Sequence, residues 1–350
     1  MQRGRVGYLA LLVALVLAGT LFALLPITSR LDALAADMVP GGEAIYVSAA
    51  SVPLKPSDRS TSKVGKLRYE GGLYVTSTDR RFGGFSGLIV SADGKRLLAI
   101  SDRSYWLSAK ISYSAGRLSG LSGAVLAPIL GADGKPLKSP YFDSESITSL
   151  GLGFPLDAGG VVDIGFETKD RVDRYDLGHD GFLARPVTVP MPEAIKNNAN
   201  NKGLEGIARL PDGRLLAITE RTLDAAGNMV GWIVEPTGAS IPLSLKREAP
   251  YDLSDLALGP AGDVFALERR YSRIGGPGIR IRLIKKERLQ PDVVLDGEVL
   301  ADLDLDYSID NMEGLAIRKS EDGRTLLYVI ADDNYSAAER TLLLMFALEK

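Results

Sequence analysis

A pattern of polar and apolar positions recurs five times along the chain. Each copy starts with an acidic or small polar residue, continues through two apolar runs joined by a turn, and ends in a charged cluster. The copies start 50 to 60 residues apart, at Ser86, Glu145, Glu205, Asp255 and Glu313. This period is close to that of a four-stranded propeller blade and exceeds that of helical or leucine-rich repeats. The pattern therefore predicts an all-β chain folded as a β-propeller.

The turn within each copy indicates an antiparallel hairpin. In the third copy the apolar runs 206–210 and 214–219 flank Pro211-Asp212-Gly213, and two apolar runs joined by Asp-Gly are typical of a hairpin. Similar turns occupy 91–94, 260–263 and 321–323. Each hairpin is predicted to form the inner strand pair of one blade.

The number of blades depends on two strand-like segments before the clear repeat, at 43–47 and 72–76. They can supply a sixth blade, or they can join the C-terminal strands and complete the last blade. Closing the ring in this way removes exposed sheet edges, which otherwise favour aggregation. Six blades are predicted, with five as the alternative.

The N-terminus has the pattern of an export signal. Arg3 and Arg5 precede an uncharged apolar stretch at 6–28, and Ala33-Leu34-Ala35 offers a small-residue cleavage site. Residues 1–36 are thus predicted to be a signal peptide or an N-terminal membrane anchor helix, and 37–350 the propeller domain. Either alternative predicts a periplasmic or other extracytoplasmic location, with membrane contact only through residues 6–28 if the segment is not cleaved.

Composition excludes several kinds of chemistry. The chain has 350 residues, 45% of them hydrophobic, and a formal net charge of -3, so no global basic field favours nucleic acid as a partner. The absence of cysteine excludes disulfides, thiolate metal sites and a cysteine nucleophile. The single histidine, His179, lies between Gly178 and Asp180 and is predicted in a polar hairpin turn.

Hairpin geometry places the start of the first strand and the end of the second on the same side of a blade. This pairs Glu205 with Glu220 and Arg221, and Glu145 with Asp170. The other expected pairs are Asp255 with Glu268 and Arg269, and Glu313 with Asp332 and Asp333. One mouth of the central channel should therefore carry a circle of carboxylates, interrupted by Arg103, Arg221, Arg269 and Arg270.

Carboxylates brought this close need compensation by cations or by the arginines. Oxygen ligands from Asp, Glu and Asn suit Ca²⁺. The predicted metal ligands are Glu145, Glu205, Asp255 and Glu313, with Asn311, Asp332 and Asp333. The alternative is that each acid forms a structural ion pair or completes a turn.

At these same positions the chain resembles the phytase-like family, whose domain is described as "esterase-like activity of phytase". Five phrases occur in order and cover about residues 60 to 350: Phe85-Ser86-Gly87-Leu88, Asp143-Ser144-Glu145-Ser146-Ile147, Asn201-Lys202-Gly203-Leu204-Glu205-Gly206-Ile207-Ala208, Ser254-Asp255-Leu256-Ala257 and Asn311-Met312-Glu313-Gly314-Leu315. The resemblance implies a β-propeller exported by bacteria and hydrolysis of esters or phosphoesters. In the propeller phytases, which are similar in architecture, Ca²⁺ on the channel face holds phosphate and a metal-bound water attacks the ester. This chain departs from them in having few lysines on the predicted face.

These observations lead to a metal-dependent hydrolase of phosphoesters or carboxylic esters, acting on a small anionic or ester substrate. Arg221 and Arg269 are predicted to steady the anionic group, and Glu220 or Glu268 to act as general base. The alternative is a non-catalytic propeller of the cell envelope that binds a ligand or a protein. A third hypothesis is a sugar lactonase, because calcium-dependent lactonases are similar propellers that hold one metal with Glu, Asn and Asp.

Overall fold

A computed structural model describes residues 39–150, 153–196, 203–273 and 275–349 of the chain. The predicted signal or anchor segment, 1–36, lies outside the described residues. Within the described ranges, no helix is both long enough and apolar enough to cross a membrane.

The described chain is built almost entirely of strands. In chain order they are β1 (Glu43–Ala44), β2 (Val47–Ser51), β3 (Lys63–Val64), β4 (Leu67–Ser77), β5 (Phe85–Val90), β6 (Arg96–Ser101), β7 (Tyr105–Ser114), β8 (Arg117–Pro128), β9 (Ser144–Leu150), β10 (Val161–Phe166), β11 (Arg171–Asp176), β12 (Val187–Thr188), β13 (Leu204–Arg209), β14 (Leu215–Leu223), β15 (Met229–Val234), β16 (Ser240–Leu245), β17 (Asp252–Leu258), β18 (Val264–Ser272), β19 (Gly276–Ile284), β20 (Val294–Leu295), β21 (Glu298–Leu303), β22 (Asn311–Lys319), β23 (Thr325–Asp332) and β24 (Leu342–Leu348). Two short α-helices, α1 (Leu177–Asp180) and α2 (Glu193–Lys196), and two 3₁₀ turns, Gly181–Leu183 and Lys286–Arg288, lie in the connections.

The strands form five sheets, which are the blades of a propeller. From the inner strand outwards, blade 1 is β5-β6-β7-β8-β1, blade 2 is β9-β10-β11-β12, and blade 3 is β13-β14-β15-β16-β20. Blade 4 is β17-β18-β19-β21, and blade 5 is β22-β23-β24-β4-β2, with β3 paired to β4. The inner strands contact one another in the cyclic order β5, β9, β13, β17, β22 and back to β5, which closes the ring around a channel.

The prediction of a β-propeller is confirmed, but the prediction of six blades is wrong, and the alternative of five is what the described residues form. The segment at 72–76 lies within β4, which pairs with the C-terminal strand β24, for example Leu73 with Leu343. The segment at 43–47 is divided between β1 in blade 1 and the start of β2 in blade 5. The early strands therefore complete existing blades and make no sheet of their own.

Hydrophobic side chains fill the space between neighbouring blades. Between blades 1 and 2, for example, the Trp106 ring stacks on Phe182 with 5.7 Å between centroids and meets Tyr175 edge-on at 5.6 Å. The inner hairpins turn as predicted, and Gly213 in the blade 3 turn has φ of 87°, a conformation that glycine adopts without strain. The packed blades and tight turns hold the two ends of each inner strand at opposite mouths of the channel.

His179 belongs to α1 rather than to a hairpin turn. Its ring is 80% exposed and Nδ1 lies 2.6 Å from Oδ1 of Asp180. Asp176 caps this helix by accepting a hydrogen bond from the His179 backbone N–H. The histidine thus has a local, solvent-exposed role in the connection that follows β11.

Candidate functional site

Every inner strand has a β-bulge close to its start. The bulge leaves one residue without a partner on the second strand, and a bulge re-aims a side chain relative to the regular pleat. The five equivalent bulge residues are Ser86, Glu145, Glu205, Ser254 and Glu313. Three of the five are glutamates, and the repeated bulge brings them to one mouth of the channel.

Asp255 does not occupy the bulge position that its place in the repeat predicted. The bulge residue of blade 4 is Ser254, so Asp255 lies one position further along and pairs with Leu267. Its carboxylate is fully buried, Oδ1 accepts hydrogen bonds from Ser146 Oγ at 2.7 Å and Leu256 N at 2.8 Å, and Oδ2 accepts one from Leu315 N at 2.8 Å. Asp255 therefore lies inside the channel and not among the carboxylates of the mouth.

The hydrogen bond from Ser146 to Asp255 spans the channel, because blades 2 and 4 are not neighbours in the ring. The positions equivalent to Asp255 in the other blades are small. They are Gly87, Ser146, Gly206 and Gly314. A Cβ on Gly314 would lie 3.1 Å from the carbonyl carbon of Gly87, so these inner strands approach backbone to backbone. We call this layer, with Asp255 at its centre, the channel plug.

The second strand of each hairpin contributes the next residue of the mouth. On the second strand, one residue pairs with the residue that precedes the bulge, and the residue after it belongs to the mouth. In the five blades this next residue is Asp102, Glu167, Glu220, Arg269 and Asp332. Blade 2 therefore presents Glu167, where the sequence pattern predicted Asp170. Asp170 instead accepts a hydrogen bond from Leu204 N at 2.9 Å through Oδ1. Glu167 could have been found, because it ends the largely apolar run 161–166 in the same way that Glu220 and Asp332 end the apolar runs of their hairpins.

Glu268 was predicted to lie at the mouth, and this prediction is wrong. The reason is the same as for Asp255, because the bulge of blade 4 falls on Ser254. Glu268 comes one residue before Arg269, and its side chain lies inside blade 4, where it forms a fully buried ion pair with Arg282 of β19. No face of this carboxylate is open to solvent. It is therefore placed away from the mouth, and its surroundings are those of a structural pair.

We call the six clustered carboxylates the acidic mouth: Glu145, Glu167, Glu205, Glu220, Glu313 and Asp332. Oxygens of Glu167, Glu205 and Glu220 all lie within 4.8 Å of one another, and the same holds for Asp143, Glu145 and Glu167. Four of the six, Glu167, Glu205, Glu313 and Asp332, are 3% to 7% exposed. The acidic mouth thus holds several carboxylates that lie close together and have little contact with water.

Arg269 lies among these acids. Its Nη1 is 3.1 Å from Glu313 Oε1, and Nη2 is 3.7 Å from Glu220 Oε1 and 4.0 Å from Glu205 Oε1. Among the described residues it is the only cation that forms ion pairs with the acidic mouth. Glu313 is the main reason that the pKa of Arg269 rises above its ordinary value, so this side chain stays charged. One positive charge is thus shared among three carboxylates.

Asn311 orients this arrangement. Its Oδ1 accepts a hydrogen bond from Arg269 Nη1 at 3.0 Å, while its Nδ2 donates to Glu313 Oε1 at 2.8 Å and to Asp332 Oδ2 at 3.4 Å. Asn311 therefore contacts the acids as predicted. Its carbonyl oxygen, the atom that would bind a metal, is engaged by Arg269.

Burial favours the protonated form of the carboxyl groups in the acidic mouth, because it raises their pKa values. It raises the pKa of Glu205 and Glu145 well above the ordinary range, and neighbouring carboxylates add to the effect. Burial, followed by the charge of Glu313, raises the pKa of Asp332 to about 8, and burial raises that of Glu167 to about 7. In the absence of a further cation, several of these groups keep a proton at neutral pH.

Two other predicted site residues point elsewhere. Arg221 donates from Nε to Asp252 Oδ2 at 2.6 Å, so it pairs outside the acidic mouth. Asp333 organises the loop after β23, because it accepts hydrogen bonds from Gly84 N at 3.0 Å and from Thr341 Oγ1 at 2.8 Å. Its oxygens are thus already used by the fold.

The other two arginines expected at the mouth also have partners outside it. Arg103 stacks on the ring of Tyr335, with Cζ 3.5 Å from the centroid, and Arg270 donates from Nε to the Tyr251 hydroxyl at 3.0 Å. Of the four arginines predicted to interrupt the acidic circle, Arg269 alone forms ion pairs with it.

The donor set fits a hard divalent cation. Glu167, Glu205 and Glu220 offer three carboxylates close enough to share one ion, and the chain's one histidine is not among them. An all-oxygen set of this kind suits Ca²⁺ or Mg²⁺ better than zinc or copper. Glu167 already accepts a hydrogen bond from Gly203 N at 2.9 Å through Oε1, which fixes its orientation and leaves Oε2 for another partner.

Comparisons with known proteins address the family and the fold. The family model described as "Phytase-like: Esterase-like activity of phytase" matches residues 80–335. No curated protein is significantly similar to the chain in sequence.

Several solved structures are similar at low identity. An endo-arabinase from Bacteroides thetaiotaomicron VPI-5482 is 11% identical, over 75% of this chain and 93% of that one, with a TM-score of 0.44. The catalytic domain of a GH62 alpha-L-arabinofuranosidase from Coprinopsis cinerea is 11% identical, over 88% and 99%, with a TM-score of 0.46. The Cps50 (Swd1) β-propeller domain from Myceliophteria thermophila is 10% identical, over 85% and 99%, with a TM-score of 0.36. Similarity at this level indicates nothing about substrate or activity.

Proposed function

This chain belongs to the phytase-like family, and on that premise we propose that it is a metal-dependent hydrolase of phosphoesters or carboxylic esters whose active site is the acidic mouth. The substrate is a small ester or anion that enters from the open side of the mouth. The bound metal is a hard cation, with Ca²⁺ as the first candidate.

One observation carries this proposal, the excess of buried carboxylates over cations. Oxygens of Glu167, Glu205 and Glu220 meet within 4.8 Å, and Arg269 is the one described cation paired with the mouth. Acids that have lost contact with water and repel one another bind a proton or a metal ion far better than exposed acids do. Glu167, Glu205 and Glu220 would hold the ion, with Glu145 on the adjacent side.

When bound, such an ion lowers the pKa of a water molecule and polarises the ester. The protein's own residues supply the remaining steps. Arg269 is 34% exposed and lies among the acids of the mouth, so its guanidinium group can also donate to the anionic oxygen that develops on the substrate. Asp332, whose pKa is raised to about 8 in the metal-free protein, is the candidate proton donor to the leaving group. Glu220, predicted as a general base, is instead one of the three proposed metal ligands.

The test is turnover over a panel of phosphomonoesters, carboxylic esters and sugar lactones. We expect activity that a chelator abolishes, that added Ca²⁺ restores, and that Glu205→Gln lowers by at least about a hundredfold. Glu287→Gln removes an exposed carboxylate from the 3₁₀ turn after β19 and is the matched control, which should leave turnover unchanged. Hydrolysis that survives both the chelator and Glu205→Gln would reject this assignment.

A second candidate is a non-catalytic binding propeller of the cell envelope. The observation that favours it is the contact of Arg269 with Glu205, Glu220 and Glu313, which compensates part of the acidic charge without a metal. A small ligand would then be recognised by this pre-formed network. Saturable binding with no turnover on the whole panel would favour this candidate over the hydrolase.

The N-terminal pattern supports an extracytoplasmic location for either candidate. Arg3 and Arg5 before the apolar stretch 6–28 have the arrangement of an export signal. Cell fractionation, with N-terminal sequencing of the recovered protein, tests the location and tells a cleaved signal from a retained anchor. Recovery of the uncleaved chain from the cytoplasm would contradict this proposal.

A further inference from the structure

The opposite mouth of the channel opens into a cavity of about 1050 Å³. All five blades contribute to its wall, through the last residues of the inner strands and the turns that follow them. Apolar side chains dominate this wall, among them Ile89, Leu150, Phe154, Leu258 and Ile317. We call this space the apolar cavity. Its size and lining are those of a small-molecule site.

The channel plug separates the apolar cavity from the acidic mouth. Asp255 reaches across the channel to Ser146 and also accepts from the backbone of blade 5 at Leu315. Because Gly87 and Gly314 bring their strands into backbone contact at this level, the two mouths do not form one continuous site. A ligand of the apolar cavity would therefore bind independently of the acidic mouth.

The charge of the apolar cavity is opposite to that of the acidic mouth. Among the described residues that line it, every charged side chain is basic: Arg174, Arg209, Arg318 and Lys319. Asp163, which is fully buried, pairs with both Arg174 and Arg209, so one carboxylate serves two guanidinium groups. Arg318 donates from Nε to the Tyr328 hydroxyl at 3.0 Å, and neither it nor Lys319 has a carboxylate at ion-pair distance in the described part of the chain.

Arg209 adds a buried basic side chain to the wall of the apolar cavity. Its side chain is 8% exposed, and Nη1 donates to Gly213 O at 2.8 Å while Nη2 forms the ion pair with Asp163. Its Nε is buried and has no acceptor among the described residues. An unpaired donor in such a place costs free energy unless a ligand or water accepts from it. The wall thus combines a buried donor with a positive charge surplus and a long apolar surface.

We propose that the apolar cavity binds a free single-chain amphipathic carboxylate, of the fatty-acid type. The carboxylate accepts hydrogen bonds from Arg318, and the alkyl chain lies along the apolar ends of the inner strands. A strongly charged ligand without an apolar body would leave Ile89, Leu258 and Ile317 in contact with water and gain little from them. An apolar ligand without an anionic group would leave the basic side chains uncompensated.

The experiment is calorimetric titration of the purified chain with three probes of equal chain length, each below its micellar concentration. These are dodecanoate, dodecanol and dodecyltrimethylammonium. We expect one dodecanoate per chain, bound at least about tenfold more tightly than the cationic probe, with dodecanol between them. Equal affinity for the three probes, or no saturable binding of dodecanoate, overturns the proposal. This comparison uses the unaltered protein and so does not depend on the folding of a variant.

Two substitutions locate the binding. Arg318→Met should weaken dodecanoate about tenfold and leave dodecanol unchanged, whereas Arg288→Met, which removes an exposed charge from the outer surface, should change neither. Unchanged dodecanoate affinity in Arg318→Met overturns the assignment. Binding should persist in Glu205→Gln, so failure of the hydrolase proposal and failure of this one give different results.

Discussion

The two ends of the central channel are built from the same five strands, yet they carry opposite charge. At the start of these strands lies the acidic mouth, where Glu205 and Glu313 occupy bulges and Arg269 is the one cation in the described part of the chain that pairs with the acids. At their ends lies the apolar cavity, where the charged lining is basic. The hydrogen bonds of Asp255 separate the two. One propeller can thus present two sites of different chemistry at the two ends of its inner strands.

The largest effect on stability is expected from disrupting the channel plug, which separates the acidic mouth from the apolar cavity. Asp255→Ala would leave Ser146 Oγ and the backbone N–H groups of Leu256 and Leu315 without their acceptor inside the protein. Buried donors without partners cost about 1 to 3 kcal/mol each, so we expect the free energy of unfolding to fall by about 3 kcal/mol or more. Urea denaturation measures it. Asp255→Asn keeps one oxygen acceptor and should therefore lower the free energy of unfolding by less. If Asp255→Ala is as stable as the unaltered protein, the role of the channel plug is contradicted.

The next prediction distinguishes Arg269 from Arg221, to which the sequence pattern gave the same role. Arg269→Gln removes the cation that pairs with Glu205, Glu220 and Glu313, so Ca²⁺ should bind about tenfold more tightly while turnover falls about a hundredfold. Arg221→Gln is the matched control, because Arg221 pairs with Asp252 outside the mouth and should change either quantity less than about twofold. Calcium titration and kcat/KM measure the two effects. Equal losses of turnover in both variants would contradict the placement of the acidic mouth.

A smaller effect concerns the pH dependence of stability in the metal-free protein. The pKa of Asp332 is raised from 3.8 to about 8, so between these values the folded state keeps a proton that the unfolded state has released. Stability from this group is therefore greatest at low pH and falls as the pH rises towards about 8. Thermal melts between about pH 5 and about pH 8 should show the unaltered protein losing stability relative to Asp332→Asn as the pH rises. Parallel curves for the two proteins would show that Asp332 keeps an ordinary pKa.

Much of the fold follows from local patterns in the sequence. The period of 50 to 60 residues and the Asp-Gly turns predict propeller blades with inner hairpins, and these are what the described residues form. The blade number depends on pairing between distant segments, such as Leu73 with Leu343, which no local pattern encodes. Without knowledge of that pairing, the strand-like segments at 43–47 and 72–76 are compatible with five blades or with six.

Part of the acidic mouth was predictable from the positions of residues in the hairpins. Glu145, Glu205, Glu220, Glu313 and Asp332 meet as their hairpin positions indicate. Asp255 and Glu268 do not, because the bulge of blade 4 falls on the serine before Asp255, and Ser-Asp-Leu resembles Glu-Gly-Ile in hydrophobic pattern. A shift of one residue moves a side chain to the other face of a strand. The register of that bulge is set by packing across the channel, which the sequence pattern does not show.

The chemistry of the opposite mouth was missed altogether. Arg209 and Asp163 belong to neighbouring blades, and Arg318 belongs to a third, so the wall that Arg209 and Arg318 share exists only in the folded ring. In the sequence, Arg209 precedes a turn and Arg318 precedes Lys319 and a turn, which are the ordinary surroundings of solvated residues. A search for clusters along the chain cannot find a site that is assembled from residues of different blades.

Calcium titration of residues 37 to 350, stripped of metal, tests the central claim most directly. The account predicts stoichiometric Ca²⁺ binding by calorimetry, a higher Tm in its presence, and loss of both in Glu205→Gln and Glu167→Gln but not in Glu287→Gln. If the stripped protein takes up no Ca²⁺ and its Tm does not change, Arg269 and protonation alone compensate the acidic mouth. The proposal of a metal-dependent hydrolase would then be wrong.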